Sequence, residues 1–389
     1  RHQKKSFAAA WDNQFGSWEY QAVMKKERGT ELIVDWSDGT SVRMSAAQLY
    51  DVVFEGNNKW MLSANGTIFT YEFEAIIPGL LKRWYAERKE MQKKMHDAGD
   101  NDIEREYWDK RQLVKKINLN SLYGAILNPG CRFFDMRIGQ SVTLTGRCIT
   151  KHMASKVNEI VAGKYDHKGE SVVYGDTDSV YFSAHKTLTK EIESGQVPWT
   201  KESVTALYDK IAQEVNGSFK AFMTKAFHTP STRGEVIRAG RELVASKGLF
   251  ITKKRYAMKI YDLEGEAVDK IKAMGLDLKR SDTPAYIQDF LSDVLDKVLT
   301  GANEEEVMDF IADFRLEFKK MPGWEKGSPR RVNKLTEYHS REKRKGKVNM
   351  PGHVRAAINW NTLKKVYNDR YSMDIIDGQK CIVCKLKDN

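Results

Sequence analysis

Two carboxylates two residues apart, Asp176 and Asp178, stand in the stretch Tyr174-Gly175-Asp176-Thr177-Asp178-Ser179. Short apolar runs flank it, Val172-Val173-Tyr174 before and Val180-Tyr181-Phe182 after. The pattern predicts a β-hairpin with Gly-Asp-Thr-Asp at its turn. Acids at a hairpin tip can converge on one point, where each raises the other's pKa unless a positive charge lies between them. A hard divalent cation with oxygen ligands is the natural occupant. For an isolated Asp-x-Asp the plain alternative is a polar turn whose acids face water.

A second constellation lies upstream. Pro78 opens a predicted helix, because its missing N–H costs nothing in a first turn. Leu81, Trp84, Tyr85, Met91 and Met95 keep helical spacing, while Arg88, Lys89, Lys93 and Lys94 fill another face. Asp97-Ala-Gly-Asp-Asn-Asp102 breaks this helix. A second runs from about 103 to 123, with Gly124 as its C-cap. Two long helices joined by a short link must be antiparallel neighbours. Lys116, Asn120 and Tyr123 follow at spacings of four and three and share a face. A cation, an amide and a phenol there make an anion- and base-sized surface; the alternative is a solvated charged face.

Basic clusters follow the hairpin. Lys253-Lys254-Arg255-Tyr256 precedes an alternating strand and suits phosphate contacts plus packing against a sugar or base. The alternative is an edge strand guarded by lysines. Between Lys326 and Lys347 stand nine basic residues, among them Arg330, Arg331, Lys343, Arg344 and Lys345, against two acids. That is +7 of the +11 net charge of the whole chain. Gly, Pro and Ser accompany it, which predicts a loop or mobile tip contacting a phosphodiester backbone.

The elements that must position these groups are a mixture of strands and helices. Residues 1–77 read as β-rich, with hairpins at Asp38-Gly39 and Asn65-Gly66. A mixed helix from about 141 to 161 leads into the Asp176/Asp178 hairpin. Residues 184–230 read as helical and structural, with His185 and His228 at the surface. From about 266 the texture changes to helices, one over 284–299 and one over 304–320.

The chain has 389 residues, 41% hydrophobic and 30% charged, enough for a core. Its basic surplus, 64 against 53, points to an anionic partner and most simply to nucleic acid. No apolar run is long enough to span a bilayer and no signal peptide opens the sequence, so no membrane role is expected. Four cysteines suit a reducing compartment. Cys381-Ile-Val-Cys384 has zinc-ligand spacing, but no second pair matches it and its surroundings alternate like a strand.

Taken together, Lys116-x-x-x-Asn120-Ser-x-Tyr123-Gly124, Tyr174-Gly-Asp-Thr-Asp-Ser179 and Lys253-Lys-Arg-Tyr256 resemble, in order and rough spacing, family B DNA polymerases. The likeness runs from about residue 60 to the end. It is strongest to the replicative members from T-even-type bacteriophages. Asn65-Gly66, Arg132-Phe-Phe-Asp-Met-Arg137, Met274-Gly-Leu276, Ser281-x-Thr-Pro284 and Gly352-His-Val-Arg355 add to it.

The resemblance implies an α+β, right-hand polymerase architecture with an antiparallel palm sheet, a helical-hairpin fingers domain and a mostly helical thumb. Residues 1–77 would be part of the palm, 78–130 the fingers, 131–265 the palm with the hairpin, and 266–389 a truncated thumb. It implies template-directed extension of a DNA primer with dNTPs in viral replication, in the cytoplasm of an infected bacterial host. The cofactor would be two Mg²⁺ ions, with Mn²⁺ as alternative. Asp178 would bind both ions, with Asp176 supporting and Glu242 nearby. Arg88 and Lys116 would hold the triphosphate. Asn120 and Tyr123 would line the nascent base pair. Lys253, Lys254, Arg255 and Tyr256, and the cluster from Arg330 to Lys345, would touch the duplex. A sliding clamp is a further implied partner.

The sequence departs from the family in three ways. The family's other metal-binding aspartate lies in an Asp-x-x-Ser-Leu-Tyr-Pro segment that does not occur here and is expected just upstream of Arg1, leaving this part inactive without it. No 3′–5′ exonuclease segment is recognisable. Gln92 stands where the family has a lysine, with Lys93 or Lys89 as substitutes. The competing expectation is a non-catalytic DNA-binding subunit of a split polymerase. A reverse transcriptase shares the paired-Asp hairpin but does not explain the other motifs.

Overall fold

Turn chemistry sets the first strands. Asp38 accepts from the Thr40 backbone N–H (2.9 Å) and hydroxyl (2.7 Å), and Gly39 takes φ +88°. This closes β1 (Glu31–Asp35) onto β2 (Ser41–Ser45). Ser45 and Gln48 then form a reciprocal capping box that starts α1 (Ala46–Phe54). This helix interrupts a stretch whose sequence reads as β-rich. The cap and the apolar pair Ala46 and Tyr50, buried against Leu32 and Phe54, make the helix instead. The next hairpin, β3 (Trp60–Leu62) and β4 (Ile68–Thr70), turns at Asn65-Gly66 as its sequence predicts. The structure, a computed structural model, describes residues 25–36, 38–55, 59–230, 232–346 and 348–384.

The chain divides between Arg241 and Glu242 into two compact units. In the first, α2 (Ile76–Asp97) and α3 (Asp102–Ile126) form the expected antiparallel hairpin. Pro78 sits within the first turn of α2, not at its start; that turn's N–H groups have no intrahelical partner in any case. Gly124 lies inside α3, which runs on to Ile126. The same unit holds α4 (Met136–Ala162), the hairpin β5 (Val172–Asp176) and β6 (Ser179–Phe182), the short α5 (Thr189–Glu193) and the long α6 (Lys201–Phe227). Its core lies between α4 and α6. Val157, Ile211, Val215 and Phe219 pack there with Val172 and Phe182 of the hairpin.

His152 of α4 is buried in this core. It stacks on Phe222 at 3.9 Å and hydrogen-bonds Tyr165 (2.7 Å) and Ser218 (2.9 Å). Burial, with Lys156 nearby, pushes its pKa down to about 4. The unfolded chain takes this proton near pH 6.5, so stability is full above that pH and falls as pH drops toward 4. We expect about 2 kcal/mol to be lost between pH 7 and pH 5. Denaturant unfolding should show the loss, and His152→Gln should flatten it; an equally steep profile in that variant would assign the loss elsewhere.

The second unit begins with a three-stranded antiparallel meander, β7 (Leu243–Thr252), β8 (Arg255–Leu263) and β9 (Glu266–Met274). The change of texture at 266 is therefore a turn, Glu264-Gly265, followed by strand and not helix. Helices α7 (Ala285–Thr300) and α8 (Glu304–Lys320) follow at the expected places. Leu276, Leu278, Leu291, Leu295 and Leu299 close a core over Ala257 and Ala273 of the sheet.

The basic segment is not a loop. It forms β10 (Ser328–Arg331), then α9 (Leu335–Lys345). The apolar residues Val332, Leu335 and Tyr338 pack it onto Val354, Ala357 and Ile358 of α10 (Gly352–Val366). Finally β11 (Lys380–Val383) pairs with β10, as the alternation around Cys381 predicts. All four cysteines are free. No helix among the described residues is long and apolar enough to cross a membrane.

Candidate functional site

The hairpin carrying the two acids forms as expected, with a tighter turn. Asp176 pairs with Ser179, which leaves a two-residue loop of Thr177 and Asp178. Thr177 takes φ +46° at the first loop position, as hairpins of right-handed twist require. Asp178 is exposed at the tip, and Asp176 is half-buried at the end of β5. The Thr177 hydroxyl donates to Asp176 Oδ1 (3.1 Å), and the Ser179 hydroxyl to the Asp176 carbonyl (3.1 Å).

Helix α4 braces this hairpin at both ends, which sequence reading missed. At the tip, Thr150 Oγ1 donates to the Thr177 carbonyl (2.8 Å). At the base, buried Asn158 donates to the Asp166 carbonyl (2.7 Å) and accepts from the Ser171 N–H (3.1 Å). Gly169 lies against it so closely that a Cβ would stand 2.5 Å from Asn158 Cγ. Asn158→Ala leaves the buried Ser171 N–H and the part-buried Asp166 carbonyl without this partner, so we expect a loss of about 2–3 kcal/mol. Chemical denaturation measures it, and a cost near zero would show that the loop does not depend on this clamp.

The donor set suits a hard divalent ion, since both carboxylates are oxygen ligands on one turn. Among the described residues no group of three His, Cys, Asp or Glu side chains is placed to hold a metal.

The helical hairpin carries the next residues. It has almost no core of its own: α2 buries nothing fully and α3 only Ile126. Cross-helix polar contacts hold it instead. Lys115 pairs with Glu87 (2.5 Å), Lys94 lies over the Trp108 ring, and Arg88 Nε donates to Gln112 Oε1 (3.1 Å). Gln112, Lys116 and Asn120 stand at intervals of four, one stripe along α3. Arg88 is thus brought to the same stripe as Lys116. Lys116 and Asn120 are exposed, and the half-buried Tyr123 donates to the Gly139 carbonyl (3.3 Å) at the start of α4. From Gln112 to Tyr123 the stripe is roughly 16 Å long. Gln112, which orients Arg88, was not picked out from the sequence. Lys89 and Lys93 are both exposed, whereas Gln92 is half-buried.

The acid-tipped hairpin and the cationic helical stripe lie within one unit, in the order in which their motifs occur. Residues 36–226 match DNA polymerase family B. The DNA-directed DNA polymerase of Escherichia phage RB69 is 36% identical over 202 residues, 48% of this chain and 22% of the relative. That of Enterobacteria phage T4 is 26% identical over 290 residues, 71% of this chain and 31% of the relative. The DNA polymerase alpha catalytic subunit of Arabidopsis thaliana is 26% identical over 248 residues, 63% and 14% of the two chains. The chain thus spans less than a third of the length of each of these relatives. The family B match contains the helical hairpin, α4 and the Asp176/Asp178 turn.

The remaining expected site residues lie beyond the family B match, in the second unit. Glu242 opens that unit and pairs with Lys272 (2.8 Å). Lys253 and Lys254 form the two-residue turn between β7 and β8, with Lys254 at φ +62°. Both are exposed, as is Arg255. Tyr256 is not: it is 5% exposed and stacks on Phe250. At that exposure the ring packs inside the unit and offers no surface to a sugar or base. Three cations of this motif face solvent, without the aromatic.

Arg330 and Arg331 stand on β10, and Arg344 is exposed on the last turn of α9. Lys343 and Lys345 belong to the same turn, but their side chains lie outside the described ones. The segment's two acids are already engaged: Glu337 pairs with Arg341, and Glu342 with Arg355 (3.1 Å).

Proposed function

We propose that this chain carries the nucleotidyl-transfer centre of a DNA-directed DNA polymerase, acting on primer-template DNA and dNTPs in the replication of a bacterial virus inside the host cytoplasm. One observation carries the reading: Asp178 stands at a two-residue hairpin tip locked to α4, within the stretch that matches family B. In this reading residues 1–77 and 131–265 are palm, 78–130 fingers and 266–389 thumb.

Asp178, with Asp176 supporting, would hold two Mg²⁺ or Mn²⁺ ions, which supply activation of the primer 3′-hydroxyl and charge neutralisation on the leaving pyrophosphate; Glu242, expected as a further acid, is engaged by Lys272. The chain's own residues do the positioning. Lys116 and Arg88 place positive charge beside the triphosphate, where negative charge shifts during transfer. Asn120 and Tyr123 border the nascent base pair. The thin α2–α3 hairpin has little core to hold it in one pose, which suits a fingers element that closes on a correct pair. Lys253, Lys254 and Arg255 on the sheet turn, and Arg330, Arg331, Lys343, Arg344 and Lys345, grip the duplex backbone; Tyr256 supports that turn from inside. An upstream aspartate and a sliding clamp complete the set of partners.

The second reading is a DNA-binding subunit of a split polymerase without activity of its own, motivated by the missing Asp-x-x-Ser-Leu-Tyr-Pro segment; among the described residues no third His, Cys, Asp or Glu joins Asp176 and Asp178 in a metal-sized group. Primer extension by the complete gene product that bears these residues separates the two. Template-directed, divalent-ion-dependent incorporation supports the first. Salt-sensitive DNA binding with no incorporation, under any divalent ion, would sink it and leave the second.

A further inference from the structure

A cleft of about 640 Å³ opens in the second unit between the β10–β11 pair, the start of α10 and the turn before α7. Arg280, Asp282, Arg330, Arg331, His353 and Lys380 line it. Asp282 acts as a brace. It receives Arg280 through two bonds (2.9 and 3.1 Å) and Arg330 through one (2.7 Å), which fixes both guanidinium groups. Arg280, with Arg330 adding to it, holds the Asp282 carboxyl down at about 2, so the brace stays charged.

Arg331 and Lys380 are different. They are direct partners across the β10–β11 ladder, so two like charges face each other on one side of the sheet. Such a pair is destabilising without a counter-charge. Among the described residues neither side chain has a hydrogen bond or ion pair with the protein, and nor does His353. His353 stands in the first turn of α10, whose helix dipole adds positive potential.

Four permanent cations therefore line the cleft against Asp282, with Asp277 adding a second carboxylate 3.8 Å from Arg280, an excess of two charges before His353 is counted. A phosphodiester brings a single negative charge. A phosphomonoester brings about −1.5 to −2 at neutral pH, and a diphosphate more. Guanidinium forks and an ammonium lining a cleft match the oxygens of such a group.

We propose that this cleft is a binding site for a terminal phosphate, a phosphomonoester or diphosphate, separate from the residues assigned to nucleotidyl transfer; Arg330 and Arg331, assigned above to the duplex backbone, here meet a terminal phosphate rather than a phosphodiester. Two sources share this chemistry: free pyrophosphate, and the 5′-phosphate at the end of a DNA strand. The proposal stands on the cleft's own charges and does not need the polymerase reading.

The test uses the complete gene product in EDTA, so that no metal-dependent site competes for phosphate. Titration with inorganic pyrophosphate is followed by calorimetry. Affinity for one oligonucleotide, carrying a 5′-phosphate or a 5′-hydroxyl, is followed by fluorescence anisotropy. Both are repeated on Arg331→Gln/Lys380→Gln. The wild type should bind pyrophosphate at least about tenfold more tightly than the variant, the scale of losing charge-assisted hydrogen bonds. A wild-type preference for the 5′-phosphate that disappears in the variant identifies a strand end as the source. Pyrophosphate binding without that preference identifies the free anion. The proposal is overturned if the wild type neither binds pyrophosphate nor distinguishes the two oligonucleotides, or if the variant matches it in both. Folding is checked independently. Removing two facing cations should leave the melting temperature unchanged or raised, and pyrophosphate should raise it in the wild type alone. An equal rise in the variant would also overturn the site.

Discussion

Asp178→Ala is expected to lower primer extension by on the order of 10³-fold or more, because it removes the main oxygen ligand proposed for the catalytic ions. DNA binding should survive, since the basic residues proposed for duplex contact lie elsewhere in the chain. Stability should change by no more than about 0.5 kcal/mol. The reason is geometric. Asp178 is exposed at the tip and its side chain has no protein partner among the described residues. The turn is held by backbone pairing of Asp176 with Ser179 and by Thr150 on the Thr177 carbonyl, neither of which uses the Asp178 carboxylate. Single-turnover extension, binding and thermal unfolding of the variant test these three expectations together. Extension at the wild-type rate would remove Asp178 from the metal assignment. A variant that unfolds would show that the tip acid is structural. Asp176→Ala should cost less activity and more stability, because Asp176 is half-buried and tied to Thr177 and Ser179.

Gly275→Ala is expected to be the most damaging single methyl group in the second unit. Gly275 takes φ +64°, and a Cβ there would lie 2.0 Å from the Lys254 carbonyl oxygen and 3.2 Å from Arg255 Cγ. The obstacle is backbone, so it cannot swing aside. Either the Lys253-Lys254 turn moves or the unit loses about 3 kcal/mol or more. Gly265 is the control: it also has positive φ, +94°, but nothing stands within 4 Å of its Cβ. Gly265→Ala should cost only the left-handed strain of about 1 kcal/mol. Denaturant unfolding of the two variants separates the terms. Equal costs would mean that the close approach to Lys254 has no weight. DNA affinity should fall for Gly275→Ala and hold for Gly265→Ala if the turn cations touch the duplex.

The sequence by itself determined what local rules govern. Asp38-Gly39 and Asn65-Gly66 make turns wherever they stand, because their side chains and φ angles suit nothing else so well. The alternation around Asp176 and Asp178 could only be a hairpin, and helical spacing located α2, α3, α7 and α8. The stripe from Lys116 to Tyr123 follows from 3.6 residues per turn.

Tertiary structure decided the rest. The basic segment has Gly, Pro and Ser like a loop, yet Val332, Leu335 and Tyr338 find an apolar floor on α10 and fold it. Tyr256 looks like an outward aromatic until its ring is seen to be buried and stacked on Phe250. Thr150 and Asn158 are ordinary helix residues in the sequence; only the docking of α4 under the hairpin makes them its supports. The facing of Arg331 and Lys380 is a matter of strand register across 49 positions of chain, which no local pattern encodes. Periodicity and turn preference act over a few residues, whereas burial, register and convergence of charge depend on which distant segments meet.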